Sequence, residues 1–243
     1  ILLLILVLPF FVRGNELEEL LQRCNEVYNS IQSAYYESHI TQKQGARRTE
    51  FIQKVYIKKN DSRTGLPMFN LTQSRNDKEE FQQFFNNKQF TIIDFDKGIA
   101  YQYEREDRTK YLQMINQMVL HPYVFCKTLF KTPRGKHNLE LMKDTIIGSV
   151  SYKRISRTWK EEDKDIQDVF FINSQTYIVE RQQSVATKQD IDSGLSVLSF
   201  DVEYKDFKSD VAYFDDRFVY KSNQRPYTLQ YMSYSSVKRE WNE

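Results

Sequence analysis

The groups from which this chain could build chemistry are few. His39, His121 and His137 fall in different predicted elements and share no metal-ligand spacing. His137 and Glu140 are a chance His-x-x-Glu in a charged loop, so no metal site is expected. Cys24 and Cys126 form no Cys-x-x-Cys pair, which argues against a thiol-redox centre. They are compatible with one disulfide in an oxidising compartment, or with two buried thiols. Carboxylates cluster at Asp94 and Asp96, along Glu161 to Asp165, and at Asp215-Asp216. All three clusters adjoin turns or a hairpin tip, where water explains them, whereas a glycosidase needs two carboxylates facing one cleft. No serine sits in a nucleophile-elbow context, and 7 scattered glycines make no phosphate-cradling loop. The expectation is a protein that is not an enzyme and carries no cofactor.

Nucleic acid fits no better. The 35 basic and 33 acidic residues leave a net charge of +2, too little to steer a polyanion. "QGARRTE" and "SVSYKRISRTW" set basic residues beside aromatics, as stacking platforms do. Neighbouring acids match these bases, so both stretches are read as solvated strand faces.

The elements around these groups begin with "ILLLILVLPFFVRG". The apolar run Ile1 to Phe11 is shorter than the about 20 residues a bilayer span needs. It has the length of a secretory h-region, with cleavage expected after Gly14 and further residues, including a basic n-region, expected before Ile1. The first cysteine, Cys24, follows Gln22-Arg23, which is the wrong context for lipid attachment. Export is therefore expected, with at most a peripheral relation to the membrane. Leu17, Leu20, Leu21, Cys24, Val27 and Ile31 then recur at helical spacing and predict a helix from about residue 15 to 31.

From Ser33 the period changes to that of strands. "SAYYESHITQKQ" and "TEFIQKVYIKK" flank "GARR", a hairpin signal, and four further strand-like segments follow as far as "KGIAYQYE". The composition, with 17 Phe and 16 Tyr, favours such a meander. It is interrupted by "RTKYLQMINQMVLHPYVFCKTLFKTPRGKHN", an apolar stretch that reads as two helices broken at Pro122. Strands resume with "LELMKDTIIGSVSYKRISRTW", a charged turn "KEEDKD", "IQDVFFINSQTYIVERQQSVATK" and "LSVLSFDVEYKDF". In the last of these Leu198, Phe200, Val202 and Tyr204 alternate with polar residues, the mark of a half-buried strand. "DVAYFDDRFVY" is read as a closing strand, and the tail from Lys221 has no assignment. The expected fold class is mainly β (α+β).

This order of elements resembles the periplasmic lipoprotein carrier superfamily (LolA/LolB-like). The residues that carry the likeness are the helix "NELEELLQRCNEVYNSIQSAYYE", Ile147-Gly148 before a strand with Tyr152, and the strand-turn-strand from Ile172 to Val179. Within the latter Asn173 stands where the family often has Asp. The segment "FDVEYKDFKSDVAYFDDRF" resembles the family's closing strand and its terminal Phe. The resemblance covers residues 15–220, after a signal at 1–14 and before an extension at 221–243. That extension looks like a run-out toward another domain.

The resemblance implies a curved, half-open antiparallel β-barrel with an N-terminal helix and a mid-chain helical lid over a hydrophobic cavity. It implies a periplasmic, monomeric carrier of lipid or lipoprotein acyl chains, driven by burial worth about 25 cal/mol per Å². The implied ligand contacts are Leu112, Ile115, Met118, Val119 and Phe125 from the lid segment, with Phe90, Ile92 and Phe200 from the sheet. Flexible Met114 and Met118 suit a surface that repacks around a lipid. Carriers of this family hold the closed lid with an arginine inside the barrel, and no arginine here is matched to it. The superfamily also includes sensor domains of envelope-stress regulators and the N-terminal halves of exported thioredoxin-like proteins. A domain that binds an envelope protein partner, possessing or working beside a thioredoxin-like module, is the second reading; a barrel filled by its own core is the third. Asn60 and Asn70 head glycosylation sequons, which matter only in a eukaryotic secretory chain.

Overall fold

The computed structural model describes residues 2–59, 67–86, 90–103, 138–161, 164–190, 194–212, 215–220 and 227–232. The expected lid segment, with Leu112, Ile115, Met118, Val119 and Phe125, lies outside the described residues, as do Asn60, Cys126, His121 and His137. Helix α1 spans Leu2–Ser30. It therefore begins well before the expected residue 15 and continues through the apolar run. Its buried face is Leu20, Leu21 and Cys24, as the sequence predicts, with Tyr28 in place of the expected Val27, which is half-buried like Leu17. The backbone N–H of Val179 donates to Tyr28 Oη (3.0 Å), tying the helix to the sheet. No helix among the described residues is long and apolar enough to cross a membrane.

Strands follow in chain order: β1 (Ser33–Gln44), β2 (Arg47–Lys58), β3 (Met68–Arg75), β4 (Lys78–Phe85), β5 (Phe90–Asp94) and β6 (Ile99–Tyr103). After the undescribed stretch come β7 (Asn138–Ile147), β8 (Val150–Glu161), β9 (Lys164–Asn173), β10 (Val179–Asp190), β11 (Gly194–Ser209) and β12 (Thr228–Met232). The described chain is thus mainly β, with neighbouring strands antiparallel except β12, which runs parallel to β6.

Two compact units divide the chain, and β1, β2 and β11 each contribute to both. The first unit comprises residues 1–30, 40–50 and 122–204, and its strand order is β2-β1-β11-β10-β9-β8-β7. The second comprises residues 31–39, 51–121 and 205–243, with the order β12-β6-β5-β4-β3-β2-β1-β11.

Turn chemistry sets the register of these hairpins. Gly148 has φ +61° between the paired Ile147 and Val150, a two-residue loop with the Gly-first pattern of a type II′ turn. Asn76 and Asp77 both have positive φ between the paired Arg75 and Lys78, the type I′ pattern.

Three sequence expectations are corrected. "DVAYFDDRFVY" is not a closing strand: Asp215–Phe218 form a 3-10 turn. The side-chain amides of Asn70 and Asn86 donate to the carbonyls of Arg217 and Phe218, which engages backbone acceptors that a ladder would otherwise use. The tail instead supplies β12, whose parallel pairing with a distant strand leaves no local signal. The charged turn is also shorter than expected, since Lys160 pairs with Asp165 and Glu161 with Lys164 inside the ladder. Finally, of Leu198, Phe200, Val202 and Tyr204 only Tyr204 is buried, and the polar residues between them are half-buried as well.

Candidate functional site

In the second unit, alternate residues of β2 to β6 build one apolar strand face. Register places Ile57 opposite Phe69 and Phe69 opposite Phe85, with Phe85, Phe90 and Tyr103 continuing the row. The rings meet: Phe90 lies 5.2 Å from Tyr103, 6.2 Å from Phe69 and 6.5 Å from Phe85 between centroids. Phe90 is completely buried in this cluster. The next row is Val55, Leu71, Gln83, Ile92 and Tyr101. Here Val55 and Leu71 are buried, while Ile92 and Tyr101 are half-exposed. Between Leu71 and Ile92 stands Gln83, whose buried Oε1 accepts no hydrogen bond from the described residues. A buried amide oxygen without a donor costs about 1–3 kcal/mol, so this position is one where a ligand donor gains. The third row opens with an amide pair, Gln53 Nε2 donating to Gln73 Oε1 (2.9 Å) and Gln73 Nε2 to Glu80 Oε2 (2.8 Å), and continues through Phe81.

The opposite face of these strands is sealed. Gln82 Nε2 donates to Asn70 Oδ1 (3.0 Å), and Asn70 Nδ2 donates to the Arg217 carbonyl (2.9 Å). The Arg217 guanidinium stacks 4.4 Å from the Tyr56 ring centroid, and Phe84 contacts Tyr220. Asn70 is buried with its amide engaged on both sides, so its sequon is closed to a glycan in the folded chain.

The first unit carries a different inner face. Arg157 on β8 lies directly across from Asp168 on β9, donating from Nε (3.0 Å) and Nη2 (2.6 Å) to Oδ2. The two side chains are only 12% and 2% exposed. Gln182 Nε2 donates to the other Asp168 oxygen (3.4 Å), and Tyr204 Oη donates to Gln182 Oε1 (3.3 Å). The Arg157 guanidinium also lies 4.4 Å from the Trp159 ring centroid and 5.3 Å from that of Phe170. This corrects the reading of "SVSYKRISRTW" as a wholly solvated face: Arg157 is buried because register supplies it with a carboxylate. Phe200 belongs to the same cross-strand row, opposite Ser184, which is opposite Asp168.

The other face of this unit holds Arg181 bonded to Asp201 and Tyr152 bonded to Glu180. Burial pushes Asp201 up, but hydrogen bonds from Arg181 and Gln183 outweigh it and leave the carboxyl below its ordinary range. Tyr152 donates to Glu180 Oε2 (2.8 Å). Burial, then this bond and the charge of Glu180, raise the Tyr152 hydroxyl to about 12. Asn173 Nδ2 donates to Glu180 Oε1 (2.8 Å), while its Oδ1 accepts from the N–H groups of Gln175 and Thr176. The amide that stands where the resemblance often has Asp is thus a donor to a carboxylate, which a second carboxylate could not be.

Of the expected ligand residues, Phe90 and Ile92 share one strand face, but Phe90 is core and only Ile92 is half-exposed. Phe200 stands in the first unit, half-buried in the row of the ion pair. Gln83, Tyr101 and the Arg157–Asp168 pair were not singled out from sequence. The carboxylates there behave as turn groups: Asp94 Oδ1 accepts the Lys97 N–H, and Asp96 Oδ1 accepts from Lys78 Nζ. No His, Cys, Asp or Glu cluster able to hold a metal occurs among the described residues.

No protein-family model and no curated protein matches the chain. Solved structures do. A DUF1329 family protein from Desulfovibrio piger aligns at 12% identity and TM-score 0.42, over 83% of this chain and 95% of its own. MucB, in the Pseudomonas aeruginosa MucA/MucB complex, aligns at 9% identity and TM-score 0.44, over 84% of this chain. This chain covers 60% of that one's length. A domain from Vibrio parahaemolyticus, described as an outer membrane lipoprotein-sorting protein domain, aligns at 8% identity and TM-score 0.37, over 83% of this chain and 96% of its own.

Proposed function

We propose that this chain is a non-catalytic, exported binding protein that holds lipid or lipoprotein acyl chains on the β2–β6 face of its second unit. The observation that carries the reading is the row Val55, Leu71, Gln83, Ile92 and Tyr101, an apolar track with half-exposed Ile92 and an unpaired amide oxygen beside it. The apolar opening and the resemblance of element order to periplasmic lipoprotein carriers support the same reading and a periplasmic location within this proposal. Leu112, Ile115, Met118, Val119 and Phe125, which lie outside the described residues, remain the expected lid contacts of this reading. Each methylene moved from water to such a surface contributes about 0.8 kcal/mol.

The test is a fluorescence titration of the chain with a hydrophobic probe, followed by displacement with phospholipid and with a lipopeptide. Saturable binding that lipid displaces and that Ile92→Glu abolishes is expected. A cooperatively folded protein that binds no probe would sink the reading.

A second reading, a scaffold or sensor domain for an envelope protein partner, is favoured by one feature of the first unit. Val185 and Val197 are 36% and 39% exposed on neighbouring strands β10 and β11. A polar substitution at both that releases a co-purifying protein would favour that reading over the carrier.

A further inference from the structure

The β7–β8 hairpin ends in an uncharged apex that carries two exposed isoleucines. Ile146 is 74% exposed and Ile147 is 41% exposed. From Thr145 to Tyr152 the sequence "TIIGSVSY" carries no charge. Its backbone is closed on itself, with Ile146 paired to Ser151 and Ile147 to Val150 around Gly148. Few polar groups would therefore have to leave water with the side chains.

Just behind the apex the hairpin itself carries Lys143, Lys153 and Arg154 and the carboxylate Asp144, and Glu16 of α1 also acts on Lys153. Lys153 Nζ donates to Asp144 Oδ2 (2.7 Å), and Arg154 Nε donates to the Lys143 carbonyl (2.9 Å). Once Lys153 and Asp144 are matched, the hairpin's own collar keeps the charge of Lys143 and Arg154, with Glu16 of α1 opposing part of it. Consecutive residues of a strand point to opposite faces. Ile146 and Ile147 hence cannot both lie flat against one protein surface, whereas a fluid apolar medium receives both.

We infer that the Ile146–Ile147 hairpin tip is a membrane-contact element that dips into the interface of an anionic phospholipid bilayer, with its basic collar at the headgroups. This goes beyond the binding reading above and does not depend on the β2–β6 face.

The experiment places a tryptophan at the tip of the full chain, as Ile146→Trp, and a control tryptophan on the body of the same unit, as Val197→Trp. Both are titrated with vesicles of phosphatidylglycerol and phosphatidylcholine in equal parts, with and without brominated acyl chains, and compared with the parent chain. A blue shift and bromine quenching at position 146, absent at 197, are expected. Ile146→Ser with Ile147→Ser should weaken vesicle partition by about tenfold. Equal behaviour at 146 and 197 overturns the inference, even if the chain sediments with vesicles through its N-terminal apolar run. So does a shift at 146 that depends on protein concentration without lipid, which marks contact with a second copy. Quenching that is as strong on pure phosphatidylcholine overturns the assignment to an anionic surface.

Discussion

Asp168→Ala removes one member of a buried ion pair and leaves the other in place. Breaking such a pair costs about 3–5 kcal/mol, because a charge that has left water loses its only compensation. Here the remaining Arg157 is 12% exposed and keeps its contacts with the rings of Trp159 and Phe170. Water access and the cation–π attraction bring the expected cost to the lower end, about 3 kcal/mol. With the two-oxygen carboxylate gone, Gln182 also loses its acceptor. For a chain of this size that loss lowers Tm by about 6–12 °C.

The companion variant is Arg157→Met with Asp168→Leu, which replaces both charges by apolar groups of similar size. It should lie within about 1 kcal/mol of the parent, since no unpaired charge remains. Arg181→Met with Asp201→Leu is the control, because that pair is 27% and 36% exposed and its net worth is about 1 kcal/mol or less. The assay is urea unfolding followed by tryptophan emission, to which Trp159 against Arg157 reports directly. Costs below about 1 kcal/mol for each single variant, adding simply in the double, would refute the claim that the pair is coupled and desolvated.

Three further outcomes follow from the same geometry. Tyr152 titrates near 12 when folded and near 10 in model peptides, so the unfolded chain loses this proton first as pH rises. Its contribution to stability is intact below about pH 10 and is lost between about 10 and 12, and Tyr152→Phe should flatten that part of a pH–Tm profile. Asn173→Asp sets a carboxylate against Glu180, so the variant should be destabilised by about 1–2 kcal/mol near neutrality and recover as pH falls below about 5, read by thermal melts at both pH values. Phe90→Ala, in the ring cluster, should cost about 3–5 kcal/mol in chemical denaturation, whereas Ile92→Ala, half-exposed, should cost about 1 kcal/mol and act on probe binding instead.

The parts of the fold legible in sequence are those fixed by short-range patterns. "GARR" and the Asp96-Lys97-Gly98 turn announce their hairpins, and Leu20, Leu21 and Cys24 announce the buried helix face. The Asn76-Asp77 turn carries the same kind of signal, yet it sits between two strongly polar strand ends that blur the boundary. What register decides is not legible locally. Arg157 and Asp168 lie in separate strands, and nothing near either shows that the β8–β9 pairing sets them opposite each other. Gln83 reads as an ordinary solvated alternation until β3 and β5 enclose it. The 3-10 turn at Asp215–Phe218 escapes notice because its aromatic spacing imitates a strand, while the amides that hold its carbonyls come from β3 and the end of β4. β12 escapes because its partner, β6, is far away along the chain.

The same register separates Ile92 from Phe200 among the three sheet positions expected to touch a ligand. An acyl chain laid over Phe200 enters the row that contains Asp168 and Arg157, and would displace the last water reaching a guanidinium that is 12% exposed. That desolvation opposes the gain from each buried methylene. Beside Ile92 stands Gln83, whose Oε1 is already out of water and accepts no hydrogen bond from the described residues. Covering it exacts no new desolvation, and a ligand amide or hydroxyl placed there recovers part of the existing cost. Acyl binding should therefore tolerate Phe200→Glu to within about threefold in Kd, while Ile92→Glu removes it altogether. Equal losses at both positions, in variants that melt like the parent, would show that polar burial does not select the binding face.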